Sequence, residues 1–299
     1  MVPVGPVAQD GLMSIAPTTA PEQLTDEQVQ RYRDDGFLIL PDALSADEVA
    51  EINRDVVDLC RNPALGGTTG DESDEELLRR YLCIHYPHKL SSTAMAALTH
   101  PRIVEALTRV IGPNVKAMQS MLFIKSEGKP GQAWHQDEHF IPTRDRSLTA
   151  AWIALDDATI ENGCLWVLPG SHRRGVLYPS REQSDPRFDC TEEAYAFPED
   201  EADAIPVEVS AGTVLLFDGY LLHRSLKNSG PRGYRRALVN HYMSAESLLP
   251  WKEPAGTPIG EYDFRDIVLV AGVDPYAWKG TVDSSRAYSR AEKDGGCDR

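Results

Sequence analysis

The segment Trp134-His135-Gln136-Asp137-Glu138-His139, with a distant His223, holds the side chains of this chain best suited to metal chemistry. Successive side chains in a strand alternate faces, so a His-x-Asp pair on a strand presents an imidazole and a carboxylate on one side. One further histidine completes a set of two neutral nitrogens and one anionic oxygen. That set leaves other coordination positions open and suits Fe(II) used in oxygen chemistry. The tripeptide alone is a weak signal, since a chain with 8 histidines and many acids can contain one by chance. A charged pair on a surface strand is the plainer alternative.

The surroundings of His223 carry more weight. Gly212 opens an apolar run, Thr213 to Phe217, which ends at Asp218-Gly219, and His223 stands where the next apolar segment begins. Gly230-Pro231 and Gly233 mark a polar turn, and a strand is expected from about Tyr234. Arg235 enters that strand, where a guanidinium at the end of a pocket could grip both oxygens of a carboxylate in one plane. Arg236 and Arg232 are rivals for that role.

These residues, taken together, match a family. Met121-Leu-Phe-Ile-Lys125, His135-Gln-Asp137-Glu-His139-Phe, Ala151-Trp152, Glu161-Asn-Gly-Cys164-Leu-Trp-Val-Leu-Pro-Gly-Ser-His172 and His223-x-Ser225 with Arg235 resemble the phytanoyl-CoA dioxygenase family. Its members are Fe(II)- and 2-oxoglutarate-dependent oxygenases with a double-stranded β-helix (jelly-roll, cupin-like) fold. The resemblance runs over roughly residues 25–245, in the same order and at similar spacing. It implies that His135, Asp137 and His223 are the iron ligands, that Arg235 clamps the distal carboxylate of 2-oxoglutarate, and that the Ser225 hydroxyl assists. Met121 and Trp152 fall where the family lines the co-substrate pocket, and Gln119 lies two residues before Met121 on the same strand face. There is one departure. Many members place the arginine one residue earlier, where this chain has Tyr234. A further family contact falls somewhere between Ile84 and Lys89.

The implied reaction uses Fe(II), 2-oxoglutarate and O2, releases succinate and CO2, and most simply hydroxylates a C–H bond of a small molecule. Related halogenases carry Gly or Ala in place of Asp137, so the carboxylate argues for hydroxylation or another oxidation. Desaturation, ring closure and epimerisation share the same oxidising step. Two other classes stay open. One is a barrel enzyme using zinc or another divalent ion without 2-oxoglutarate, which would not need Arg235 and Ser225. The other is a binding protein that has lost turnover.

The other histidines have simpler accounts. His139 shares the face of His135 and Asp137 if the strand continues, beside the site or packed at the strand end. His172, next to Arg173 and Arg174, reads as structural or exposed, and His241 as buried and hydrogen-bonded. His85, His88 and His100 precede the expected barrel with no tie to a metal.

A net charge of −16 disfavours nucleic acid and anionic membrane surfaces as partners. No spanning segment or secretory leader is visible, the oligomeric state is unreadable, and the 5 cysteines lack zinc spacing. Free thiols in a reducing cytoplasm are the plain expectation.

The elements that must position the site follow from periodicity. Residues 1–22 form a Pro- and Ala-rich tail, 23–250 one jelly-roll domain with N-terminal helices, and 251–299 an extension packing on or near the active site. Thr25…Gln28 and Ser45…Glu48 are capping boxes opening helices to about Asp34 and Arg61, and Pro101 to Ile111 is a third helix. Gly36 to Leu40 reads as a strand. Further strands are expected near 114–125, 148–155, 164–168, 206–209, 213–217 and 234–242, with loops at 62–76 and 180–204 and periodicity again from Asp266 to Val270. Helices first and strands after give a barrel with a helical layer. An acyl-CoA substrate would need basic residues around its phosphates, for which Arg144, Arg146, Arg173, Arg174 and Arg181 are candidates, though they more simply balance nearby acids. Trp251, Tyr262, Tyr276 and Trp278 could form a lid or simply pack.

Overall fold

The computed structural model describes residues 23–67, 71–231, 233–247, 267–281 and 285–291. The tail 1–22, Trp251, Tyr262 and Arg232 lie outside them. The first part of the chain supplies α1 (Asp26–Asp35), β1 (Phe37–Leu40), α2 (Ala46–Arg61), α3 (Asp74–Arg79), β2 (Tyr81–His85), α4 (Ser92–Leu98) and α5 (Pro101–Val110). Both expected capping boxes form, and Ser73 with Glu76 makes a third that opens α3 inside the expected 62–76 loop. Each such cap satisfies backbone N–H groups that the helix leaves orphaned, worth about 1 kcal/mol.

The strands that build the site follow: β3 (Val115–Lys125), β4 (Gln132–His135), the short α6 (Asp137–Phe140), β5 (Thr149–Ala154), β6 (Leu165–Val167), β7 (Ser180–Arg181), β8 (Glu193–Ala194), β9 (Ile205–Val207), β10 (Val214–Asp218), β11 (His223–Ser225), β12 (Arg235–Ser244), β13 (Val268–Ala271) and β14 (Tyr288–Ala291). The large antiparallel sheet runs β1-β10-β5-β12-β3-β2-β14, with β13 also pairing β3. A smaller sheet runs β4-β11-β6-β9, and β7 pairs β8.

Side-chain parity assigns each face of the large sheet. Ile84, Leu122, Ile124, Ala151, Ile153, Leu216, Leu238 and Tyr242 pack beneath helical residues such as Tyr32, Val56, Leu98, Ile103 and Leu107. The opposite parity, Trp152, Ala154, Leu215, Phe217, Ala237 and Val239, meets Leu165, Val167 and Val207 of the small sheet. β5 is therefore buried on both faces, which explains its nearly unbroken apolar sequence. Two sheets facing across such a core, with helices behind the larger one, make the jelly-roll expected from the sequence.

Cys60, Cys83 and Cys164 are free and buried, but Cys190 is disulfide-bonded, so the expectation that all the cysteines are free thiols fails. Cysteine spacing along the chain carries no information on which sulfurs meet in space. Among the described residues no helix is long and apolar enough to cross a membrane.

The turn between β11 and β12 is held by one side chain. Asn228 is fully buried; its Nδ2 donates to Lys125 O (3.1 Å) and Gly233 O (3.0 Å), and its Oδ1 accepts from the Gly230 N–H at 3.2 Å. It thereby ties the end of β3 to the segment that leads into β12. Replacing Asn228 with Ala removes all three of these hydrogen bonds and should cost about 1–3 kcal/mol, read as a lower urea midpoint at unchanged m-value.

Candidate active site

His135 and His223 meet because β4 and β11 are antiparallel neighbours that pair these two residues directly. Their rings lie 4.1 Å apart at 50°. β4 stops at His135, Gln136 caps the next element, and Asp137 is the first residue of α6. Strand alternation therefore does not bring the carboxylate beside the imidazole, as the sequence suggested; the turn into α6 does. Gln136 fixes that turn, donating from Nε2 to Val176 O (3.1 Å) and Tyr220 O (2.7 Å) while accepting from the Tyr178 N–H at 2.9 Å.

Asp137 Oδ1 lies 3.7 Å from His135 Nε2 and 3.6 Å from His223 Nε2. All three residues are buried, and one ligand atom from each falls within 4.8 Å of the others. Each imidazole Nδ1 sits on a backbone carbonyl two residues back, His135 on Ala133 O (2.8 Å) and His223 on Leu221 O (2.9 Å). An Nδ1–H committed to a carbonyl leaves Nε2 as a lone pair facing the cluster. The donor set is thus two neutral nitrogens and a carboxylate, which fits a divalent cation with open positions. Burial, reinforced by His135, holds His223 down at about 4, the unprotonated state a ligand requires. Burial alone would raise the Asp137 carboxyl, but His223, His241 and His135 outweigh it and keep it well below the usual carboxylate range.

His241 is the residue whose connection the sequence concealed. It is buried and hydrogen-bonded as expected, but its partner is Asp137 Oδ2, at 3.0 Å from Nε2. The two are 104 residues apart, and only the strand order shows the contact. It leaves Oδ1 as the oxygen facing the two histidines.

A cavity of about 510 Å³ opens from this cluster. Gln119, Met121, Trp152, Ser225 and Arg235 all line it, together with His85, Phe123, Phe140, Phe217, Val239, Tyr288 and Arg290. Arg235 is 3% exposed, lies 5.6 Å from the centroid of the Trp152 ring, and makes no ion pair among the described residues. Burial depresses its guanidinium to about 10, still protonated at neutral pH. Arg236 points the other way and forms a two-nitrogen fork with Asp156, at 2.9 and 2.6 Å. The alternation of β12 thus separates two adjacent arginines that the sequence left as rivals.

The far wall comes from the chain's end. β14 pairs β2, and Tyr288 stacks on His85 with ring centroids 4.3 Å apart and planes 5° off parallel. Burial, with Arg290 nearby, holds His85 down at about 3. Arg290 lies 3.4 Å from Asp189. Of the remaining histidines, His139 is on α6 and pairs with Glu192 (3.4 Å), His172 bonds Arg33 O (3.0 Å), His88 bonds Ser120 Oγ (2.5 Å) and His100 pairs with Glu48 (3.2 Å). Tyr276 and Trp278 do not line the cavity, and Trp278 is exposed.

Comparison with known proteins agrees with this architecture. Residues 32–237 match the family model for phytanoyl-CoA dioxygenase (PhyH). "Phytanoyl-CoA dioxygenase 1" of Oryza sativa subsp. japonica is 28% identical over 258 residues, covering 75% of this chain and 90% of that protein. The non-heme monooxygenase ThoJ superposes with a TM-score of 0.64 at 24% identity, covering 88% of each chain, which speaks to the fold. EctD from S. alaskensis, solved with 2-oxoglutarate and 5-hydroxyectoine, gives a TM-score of 0.55 at 25% identity, over 78% of this chain and 80% of that one. With the match spanning both halves of the buried His-Asp-His cluster, the chain belongs to the phytanoyl-CoA dioxygenase family of iron- and 2-oxoglutarate-dependent non-haem oxygenases.

Proposed function

We propose that this protein hydroxylates an unactivated C–H bond of a small molecule, with His135, Asp137 and His223 holding Fe(II), and with Arg235 and Ser225 gripping the distal carboxylate of 2-oxoglutarate. The observation that carries the reading is that an intact two-His-one-carboxylate cluster shares one cavity with a buried arginine that has no ion-pair partner among the described residues. When bound, the iron and keto acid supply the oxidising chemistry, in which O2 converts 2-oxoglutarate to succinate and CO2 and delivers one oxygen atom to the substrate. The protein's own residues bind, orient and exclude water. Trp152 lies beside the Arg235 guanidinium, and a ring so placed favours the cation. Met121, Val239 and Phe217 make the wall apolar, and Gln119 adds one amide next to them.

Asp137 fills the third ligand position, which supports hydroxylation over halide transfer. An acyl-CoA substrate finds little support. None of Arg144, Arg146, Arg173, Arg174 and Arg181 lines the cavity, and Arg174 and Arg181 pair with Glu199 (3.4 Å) and Glu193 (2.8 Å). A free small molecule, entering past the half-exposed Phe140 and Tyr288, fits better. We take 23–250 as the oxygenase domain and 251–299 as an extension contributing to its pocket. The cytoplasm remains our proposed compartment, on the strength of three buried free thiols; the disulfide at Cys190 stands against it.

Anaerobic titration of the apo-protein with Fe(II) and 2-oxoglutarate should raise a weak visible charge-transfer band that Asp137→Ala abolishes. No band in the wild type would move a zinc-type enzyme or a binding protein ahead. Arg235→Ala should raise the 2-oxoglutarate requirement on the order of a hundredfold, since truncating one partner of a buried charged pair costs about 2–5 kcal/mol. Arg236→Ala should leave that requirement unchanged, and the opposite pattern would transfer the role by one residue. His241→Ala should weaken metal binding by about 10- to 100-fold, the usual effect of removing a ligand's hydrogen-bond partner. Cobalt titration reads this directly, and an unchanged affinity would deny His241 any part in holding Asp137.

A further inference from the structure

The alternation of the short strand β14 sends its side chains to two different places. Ser289 stands opposite Ile84 of the helical core, and its Oγ donates to Leu65 O at 2.9 Å. Tyr288 and Arg290, opposite His85 and Cys83, turn instead to the cavity. The bond of Ser289 thus fixes where its two neighbours stand on the cavity wall.

One edge of Arg290 is unpartnered. Its Nη1 lies 3.4 Å from Asp189 Oδ2, whereas Nε and Nη2 are buried with no hydrogen-bond partner among the described residues. Those two nitrogens form one edge of the guanidinium, whose parallel N–H bonds fit the two oxygens of a carboxylate. The neighbouring groups are committed elsewhere or uncharged. Asp189 Oδ1 accepts from the Thr191 N–H at 2.9 Å. Glu192, also on the cavity wall, accepts from Ser180 Oγ and lies 3.4 Å from His139. The Cys83 thiol is pushed up to about 11 by burial and stays neutral. Buried N–H groups without an acceptor cost free energy, and here an anion from outside the protein would supply one. Beside this edge, His85 is 8% exposed and neither of its ring nitrogens has a partner among the described residues. His85 covers one face of the Tyr288 ring, and Tyr288 is 48% exposed, so the ring's other face is free to take a ligand.

We infer that the molecule oxidised is a carboxylic acid with an aromatic or similarly flat apolar body: its carboxylate docks on the Nε–Nη2 edge of Arg290, and its body lies on the exposed face of Tyr288. This rests on the oxygenase reading above and deepens it by naming the substrate class. The spacing sets the length of the acid. Residues two apart on one strand face stand roughly 6.6 Å from each other, which one or two carbons between ring and carboxylate bridge. His85 holds the Tyr288 ring flat from behind. In sheet order Arg235 stands three strands from Arg290, roughly 14 Å at about 4.8 Å per strand, which leaves room for a separate carboxylate on each guanidinium.

The test is calorimetric titration of the full-length, Zn(II)-loaded protein, first saturated with 2-oxoglutarate, with 3-phenylpropanoate and with its neutral amide. The wild type should bind the acid on the order of tenfold tighter than the amide. Arg290→Met should erase that preference by weakening the acid alone, with amide, 2-oxoglutarate and Zn(II) affinities as in the wild type. Tyr288→Ala should weaken acid and amide alike by about threefold or more, and Tyr288→Phe should bind both as the wild type does. Three results would each overturn the inference: a wild type that binds neither compound or shows no preference, an Arg290→Met variant that keeps the preference or loses 2-oxoglutarate equally, and a Tyr288→Ala variant that binds like the wild type. Should the methionine variant fail to fold, Arg290→Lys keeps the charge without the fork and must still lose the acid about fivefold relative to the amide; an unchanged preference there overturns it. A Zn(II)-loaded wild type that takes up no 2-oxoglutarate sinks the co-substrate reading itself, a result read before either phenyl compound is added.

Discussion

Arg235 and His241 stand on one strand with the same parity, and the register of β12 against β3 decides what each of them meets. Arg235 falls opposite Lys125 and His241 opposite Gln119, with Val239 and Met121 paired between them. At about 3.3 Å per residue, the six-residue interval spans roughly 20 Å, which sets a buried guanidinium at one end and Asp137's partner at the other. A slip of one residue would turn this whole set toward the helices and bring Arg236, Leu238 and Asn240 to the cavity. The apolar alternation forbids it, since Leu238 and Tyr242 belong to the helical core and Ala237 and Val239 to the inter-sheet core.

The same register gathers groups that fit poorly with folding alone. Asp137 is buried among three imidazoles, and Arg235 and Lys125 are buried with no ion-pair partner among the described residues. Each charge removed from water costs several kcal/mol unless compensated, on the order of what holds a whole domain together. The apolar packing on both faces of β5 and β12 is what makes such an arrangement tolerable. The unmet charges are negative at the His-Asp-His cluster and positive at the Arg235 end, so the cavity is polarised along its length. A cation at one end and a carboxylate at the other would satisfy both.

Much of this was legible in sequence because it is local. Capping boxes at Thr25 and Ser45, the Gly212-to-Phe217 run and the twofold alternation of β12 depend on neighbours along the chain, and they formed within a residue or two of expectation. The ligand set was readable through residue types, yet its geometry was not: His135 ends a strand and Asp137 starts a helix, a change of element that no periodicity within six residues can signal. His241 was placed in the interior by its surroundings, but its bond to Asp137 depends on strands far apart in sequence. Lys125 appeared only as the end of the Met121–Lys125 motif, with no role given to it, because a lysine at a strand end is ordinarily solvated; in the fold its Nζ donates to Gly163 O and Leu226 O.

The substrate resisted reading for a related reason. The family match ends at residue 237, whereas His241, Tyr288 and Arg290 line the same cavity from beyond that boundary. β14 reaches its place only by pairing with β2, more than two hundred residues earlier, and its four residues have no pattern strong enough to stand out. The His-Asp-His cluster, Met121, Trp152, Ser225 and Arg235 come from the matched core, while His241, Tyr288 and Arg290 add to the wall from beyond it. The matched core is what the chain shares with its relatives, whereas the family match does not reach Tyr288 and Arg290. Tyr288 presents a half-exposed ring stacked on His85, and Arg290 a guanidinium engaged by Asp189, so this part of the wall offers an aromatic face and a fixed charge side by side.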